Sequence, residues 1–205
     1  MKAFKKDGKT YLHKTAIVTG GGNGYSDTAT LINDDGAVSS GGGNGWEVYT
    51  QSANEPEVYN MLNSAINADY PRWQLNYNTY GTDNCICYFK TPEKGIITKI
   101  DTYTWWDDNR YQRGCSSFDI YGFNSEADLL AFTNGTKIFE CRITIHSNLK
   151  GALHTISAIA EQPFQYIAIK MNIVNASDGY KSIGRTKFYM RLPLGGTEIK
   201  YFGFK

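Results

Sequence analysis

From Cys85 to Leu192 apolar and polar residues alternate in short runs, the pattern of strands with one face on a core and one facing outward. Reading it along the chain predicts strands at Trp73–Asn78, Cys85–Lys90, Ile96–Trp105, Ser117–Phe123, Thr136–His146, Gln165–Val174, Ser182–Leu192 and Glu198–Phe204. Turn-forming residues separate several of them, at Thr82-Asp83-Asn84, Pro92-Glu93-Lys94-Gly95, Asn134-Gly135 and Ser177-Asp178-Gly179. Strands at this spacing predict an all-β chain, an antiparallel jelly-roll β-sandwich with Greek-key or jelly-roll connections.

One stretch carries a helical period instead. Val58, Met61, Leu62, Ala65 and Ile66 form a single apolar stripe, preceded by Asn54 as N-cap and Glu57 in the capping-box position. Pro71 disfavours helix at Tyr70, so the helix is expected to span residues 55–69 and to pack on the sandwich. Before it, Gly20-Gly21-Gly22-Asn23-Gly24-Tyr25 recurs as Gly41-Gly42-Gly43-Asn44-Gly45-Trp46. Triple glycines lose too much entropy to sit inside regular elements, so they mark joints. Neither copy is followed by Lys-Ser/Thr, which sets aside a phosphate-binding loop. The expected organisation is a Gly-rich N-terminal arm over 1–52 lying outside the core, a β-sandwich over 53–192, and a C-terminal strand or tail over 193–205. The arm is expected to serve anchoring or oligomerisation, because it buries too little to fold alone.

Composition narrows the function classes. Lys plus Arg number 21 against 20 for Asp plus Glu, which gives no electrostatic case for nucleic acid as a partner. No apolar run is long enough to span a bilayer, and the basic start at Met1–Lys9 lacks the apolar segment of a signal peptide. Without such a leader, Asn134-Gly135-Thr136 and Asn175-Ala176-Ser177 are not expected to carry glycans. Cys85 and Cys87 lie two apart on a predicted strand and cannot pair with each other. With Cys115, Cys141 and the histidines they make no zinc spacing, so free apolar thiols are expected. The 15 tyrosines suit half-buried strand positions first, and sugar-stacking or interface surfaces second.

The order of these segments resembles a known fold family. Ile97-Thr98-Lys99-Ile100-Asp101-Thr102-Tyr103, Ser117-Phe118-Asp119-Ile120-Tyr121-Gly122, Tyr166-Ile167-Ala168-Ile169 and Ile183-Gly184-Arg185-Thr186-Lys187-Phe188-Tyr189 are similar to the galactose-binding-like jelly rolls, the discoidin and coagulation-factor C-terminal type, over residues 55–192. In that family a short turn follows the Ser117–Gly122 strand, here Asn124–Phe132. The family's calcium loop precedes the first Trp, and here that stretch, Asn67–Trp73, lacks its glycine turn. Asp69 and Asp83 are too few oxygens for the ion, so no metal or other cofactor is expected. A glycine-jointed arm on such a head also resembles short bacteriophage virion proteins.

The resemblance implies a sugar site on loops at one end of the sandwich, where an aromatic face takes the sugar's C–H side and planar polar groups take its hydroxyls. Trp105–Arg113 offers both, and Trp105 and Trp106 fall on opposite sides of the chain. The candidate ligand residues are Trp106, Asp108, Arg110 and Arg113 on this loop, and Asp178 and Tyr180 on Asn175–Lys181, with Asn76–Tyr80 as a third loop. An Arg–Asp surface pair stays open as the plain alternative for the first loop. No Ser/His/Asp order or paired-metal spacing stands out, so the chain is not expected to be an enzyme. The expected function is non-catalytic binding of a cell-surface glycan by a protein displayed on a virion or cell surface. It is expected to be a homo-oligomer, a trimer if it forms a fibre or spike, or to be joined to a larger particle through its arm. The alternatives are a purely structural capsid or tail component, and a cytoplasmic or extracellular location.

Overall fold

The computed structural model describes residues 2–6, 9–13, 24–33, 43, 45–49, 58–62, 72–104, 113–145, 151–172 and 179–194. Their elements run β1 (Lys2–Lys6), β2 (Lys9–His13), β3 (Thr30–Leu31), β4 (Glu47–Tyr49), α1 (Val58–Leu62), β5 (Arg72–Asn76), α2 (Tyr77–Tyr80) and β6 (Ile86–Tyr103). Then follow β7 (Ser117–Phe123), α3 (Glu126–Ala131), β8 (Thr136–Arg142), β9 (Leu153–Ser157), β10 (Pro163–Met171), β11 (Tyr180–Gly184) and β12 (Thr186–Arg191). Every ladder between these strands is antiparallel.

The long strand β6 organises the sandwich. Its first stretch pairs with β4 and β10, and β10 continues the sheet through β7 to β8. Its second stretch pairs with β12 and β9, and β3 extends β12. The two stretches face one core. Phe89 from the first meets Phe188, the cross-strand partner of Ile100 in the second, edge-on at 5.5 Å between ring centroids. Between the stretches the register with β10 shifts from Tyr166↔Lys90 to Phe164↔Gly95. The predicted turn at Pro92–Gly95 is therefore a bulge inside a continuous strand. The Gln165 amide donates to Thr91 O and Pro92 O at 3.0 and 3.2 Å, and Thr91 Oγ1 to Glu93 O at 2.8 Å. Gly95 is required there, because a Cβ would lie 2.8 Å from the backbone oxygen of Arg191.

Other expectations are corrected. Ser182–Leu192 is not one strand but two, β11 against β5 and β12 against β6, divided at Arg185. Asn124–Phe132 contains a short helix, capped by Ser125, whose Oγ accepts from Asp128 N–H at 3.1 Å. Its Leu129, with Phe132, covers the outer side of the sheet over Ala168, against Tyr121 and Phe123. Strand β9 had not been anticipated; it lies on the edge with Leu153 exposed. The helix expected over 55–69 is present as α1, with Val58, Met61 and Leu62 buried; its cap and its end lie outside the described residues, as does the strand expected at 198–204.

The largest correction concerns the arm. Residues 1–52 do not all stay outside the core: Trp46 is 2% exposed and packs 5.9 Å from Phe89. Both glycine repeats do the same job. Gly24 and Gly45 take φ of +80° and +87°, and the aromatic after each enters a β-bridge, Tyr25 with Pro193 and Trp46 with Gly43. Strand β3 then closes on β12 and β4 on β6, one edge for each repeat. Asn33 is buried with its amide shared between Leu62 O (2.9 Å) and Thr186 O (2.7 Å), while its Oδ1 accepts from Phe188 N–H (2.7 Å).

All four cysteines are free and buried. Burial pushes the Cys85 thiol up to about 11 and that of Cys115 to about 12. On the outer side of β7 and β8, Asp119 meets Arg142 Nη1 at 2.9 Å and Lys137 Nζ at 3.0 Å. Burial raises its pKa, but hydrogen bonds from Arg142, Lys137 and Asn172 outweigh this and hold the carboxyl below its ordinary value.

Two expectations follow for stability. Trp46→Ala should cost about 3–5 kcal/mol, and Asn33→Ala about 1–3 kcal/mol for each stranded group. Urea melts of the full chain measure both, and a chain beginning at Ser52 should melt far below the intact protein. The second is a pH effect. With a depressed native pKa, the Asp119 contribution is complete above the unfolded value of about 4 and is lost as pH falls through the native one. Asp119→Asn should therefore lower stability at pH 7 by roughly 1–3 kcal/mol and flatten the acid limb of the melting profile.

Candidate ligand-binding site

The described residues of the three loop regions singled out by sequence, 76–80, 113 and 179–181, meet along β11. Strand β5 ends at Asn76, which caps α2 by accepting the Asn78 N–H at 3.0 Å. Tyr77 then clamps the residue that leads into β11: its N–H donates to Gly179 O at 2.9 Å, and its hydroxyl accepts from Gly179 N–H at 2.9 Å. Gly179 has φ +85°, and a Cβ there would sit 2.4 Å from Asn78 Nδ2, so backbone and carboxamide are pressed together only because the residue is glycine. Tyr180 follows, directly opposite Asn76 in the β5–β11 ladder.

The first loop returns to the same place. Arg113 holds its guanidinium carbon 4.8 Å from the Tyr180 ring centroid, a cation–π contact. Gly114 bridges Ser182, and Cys115 N–H donates to Ser182 O at 2.8 Å. Two residues on, Ser117 O accepts from Asn172 N–H at 2.8 Å, so the strip 113–117 borders both the exit of one loop and the entry of the other. At the other root of the first loop, Tyr103 N–H donates to Arg185 O and Thr104 N–H to Ala152 O, each at 2.9 Å.

Of the candidate ligand residues, Arg113 and Tyr180 are thus brought into contact. Trp106, Asp108, Arg110 and Asp178 lie outside the described residues, as does Asp69. Asp83 is exposed on a short turn after α2, and no group of three or more His, Cys, Asp or Glu side chains among the described residues could hold a metal ion.

Two features of the site had no reading in the sequence. The sequence marks Gly179 as a turn residue, while its place against Asn78 depends on the β5–β11 pairing. Lys181 is only 5% exposed and projects on the inner side of β11 with Ile183. Its signal would have been the strand's alternation, which puts residues 181 and 183 on one face.

The arrangement offers an aromatic ring, a guanidinium held over it, and a carboxamide within one turn. A stacked guanidinium is pre-organised, since its planar fork of donors loses little freedom on meeting paired acceptors.

The sequence matches no protein-family model and none of the curated proteins. Among solved structures, the family 32 carbohydrate-binding module from Streptococcus pneumoniae EndoD is similar with a TM-score of 0.52 at 12% identity, covering 78% of this chain and 99% of that one. A CBM32 of Clostridium perfringens in complex with GalNAc-β-1,3-galactose covers 78% and 99% at 13% identity and a TM-score of 0.48. The family 32 module of C. perfringens NanJ, in complex with galactose, covers 70% and 91% at 10% identity and a TM-score of 0.45. At such identities the likeness is one of fold: this chain is built on the galactose-binding-like jelly roll of the family 32 carbohydrate-binding modules.

Proposed function

We propose that this protein is a non-catalytic carbohydrate-binding module whose ligand, a cell-surface glycan, is held where the loops 76–80, 105–113 and 175–181 converge. The observation that carries the reading is the Arg113 guanidinium over the Tyr180 ring, beside Asn76 and Asn78. Sugars present vicinal hydroxyls, which suit a planar fork of donors, and a C–H face, which suits an aromatic ring. The fold supports the reading without deciding it, because one jelly roll serves many functions. In this reading Trp106, Asp108, Arg110 and Asp178 complete the site from the two loops.

Display on a virion or cell surface, self-association (as a trimer in a fibre or spike) and attachment to a larger particle extend the proposal to the chain's N-terminal side. Their support is the glycine-jointed arm, together with the β1–β2 hairpin, which pairs with itself and with no other strand among the described residues. Two-stranded hairpins are marginal in water unless they pack on something else.

A glycan array on the intact protein, followed by calorimetry with the best ligand, tests the site. Arg113→Ala and Tyr180→Ala should each weaken binding about tenfold to a hundredfold while leaving the melting temperature within a few degrees. Arg113→Lys should recover little, since a point charge lacks the planar fork. Wild-type affinity in both alanine variants would sink the site, and a folded protein that binds no glycan would favour a structural capsid or tail role.

A further inference from the structure

The outer side of the β9–β6–β12 sheet carries charges that neither the core nor the candidate site uses. Ile100 and Phe188 are buried cross-strand partners facing inward, so alternation puts Lys187 and Tyr189 of β12 outward, opposite Asp101 and Lys99 of β6. Arg185, just before β12, shares that side, its guanidinium carbon 6.0 Å from the Tyr103 ring centroid. Tyr103 lies opposite Leu153 of β9, which is 52% exposed, and Asp101 lies opposite Thr155.

The charges here do not cancel. Across residues 99–103, 153–157 and 185–189, Asp101 is the only carboxylate. It is already engaged: Thr155 Oγ1 donates to it at 2.7 Å, and Lys99 Nζ lies 3.5 Å away. Lys99 also sits 3.6 Å from the Tyr189 ring centroid, which fixes it beside Asp101 as a neutral pair. That leaves Arg185 and Lys187. Neither has an ion-pair partner among the described residues, and Arg185 Nε is buried with no acceptor there. A charged donor in that state gains more than a solvated one from a ligand that brings an acceptor.

The two cations are two residues apart, which spaces their backbone positions by about 7 Å along the strand. Both rings on this side are faced by a cation, Tyr103 by Arg185 and Tyr189 by Lys99. The rings therefore hold the charges in place, and a ligand is read by charge rather than by stacking. Nucleic acid would need many phosphate contacts or open ring faces. A chain of acidic sugars needs less: carboxylates along its length for the guanidinium fork and the ammonium, and a C–H face for Leu153.

We infer that the outer side of β9–β6–β12 is a second binding surface, which takes a carboxylate-bearing polysaccharide across Arg185 and Lys187. It is distinct from the contact of Arg113 with Tyr180. The class of polymer rests on the carbohydrate-binding reading, whereas the surface and its charge do not.

Calorimetry and affinity electrophoresis of the full chain with polygalacturonate, at low and at high salt, test this. The double variant Arg185→Gln, Lys187→Gln should melt as the wild type does but bind about tenfold or more weakly. It should also lose most of the salt dependence of binding. Lys187→Arg, which keeps the charge, should bind like the wild type, and so should Arg113→Ala. Loss in the double variant supports the surface even where neutral glycans show the Arg113 site to be wrong. Wild-type affinity in the double variant overturns the proposal, as does an equal loss in Arg113→Ala. A folded wild-type protein that ignores polygalacturonate overturns it too. Displacement of the polymer by single-stranded DNA at comparable concentration would mark a nucleic-acid surface instead and overturn it as well.

Discussion

A strand of eighteen residues has more backbone to satisfy than one sheet layer of this domain can supply, and that requirement shapes the rest of the structure. Strand β6 meets it by changing partners along its length, from β4 and β10 to β12 and β9. The bulge at 91–94 makes the change possible, since the side chain of Gln165 takes over bonds that the regular ladder drops. Because one strand belongs to both stretches, the aromatic contact between Phe89 and Phe188 closes the core between one stretch of β6 and a strand paired to the other.

The same economy fixes the candidate site. Loops at the end of a sandwich are free to vary only if their roots are held. Here the roots are held by backbone bonds to β11 and the residues flanking it: Cys115 on Ser182, Tyr77 on Gly179 just before its start, and Tyr103 on Arg185 just past its end. The contact between Arg113 and Tyr180 thus rests on a frame of main-chain hydrogen bonds rather than on mobile side chains.

Much of the fold was legible in the sequence. Ser117–Phe123 was read to the residue, because a seven-residue run with Phe118 and Ile120 facing inward has one way to lie in a sheet. The break at Arg185 is also written there: inward residues change parity from Ile183 to Phe188 and Met190, which no single flat strand allows. The bulge at Pro92 looked like a turn because its composition is that of a turn, and only the Gln165 bonds, made across the sheet, decide otherwise. Trp46 was hidden by its neighbours. Glycine runs read as linkers, and the burial of the aromatic that follows depends on an edge of β6 more than forty residues away. Of the site, residue types and loops could be read, but the meeting of Arg113 with Tyr180 needed the bonds of Gly114 and Cys115 to Ser182, which are long-range.

The way the arm grips the sandwich has a mechanical meaning. If the head is tethered through its N-terminal side, a pull on the chain before Gly24 reaches the sandwich first at the bonds of Gly24 with Leu194 and of Ser26 with Leu192, then at the β3–β12 ladder, and next at Asn33. The surface bonds can be opened one at a time, like a zip. Asn33 cannot, because its three partners lie on two different elements, Leu62 on α1 and Thr186 and Phe188 on β12, and all are buried. Tension is thereby delivered into the core at a single asparagine, and the loops along β11 stay outside the line of force until that side chain gives way.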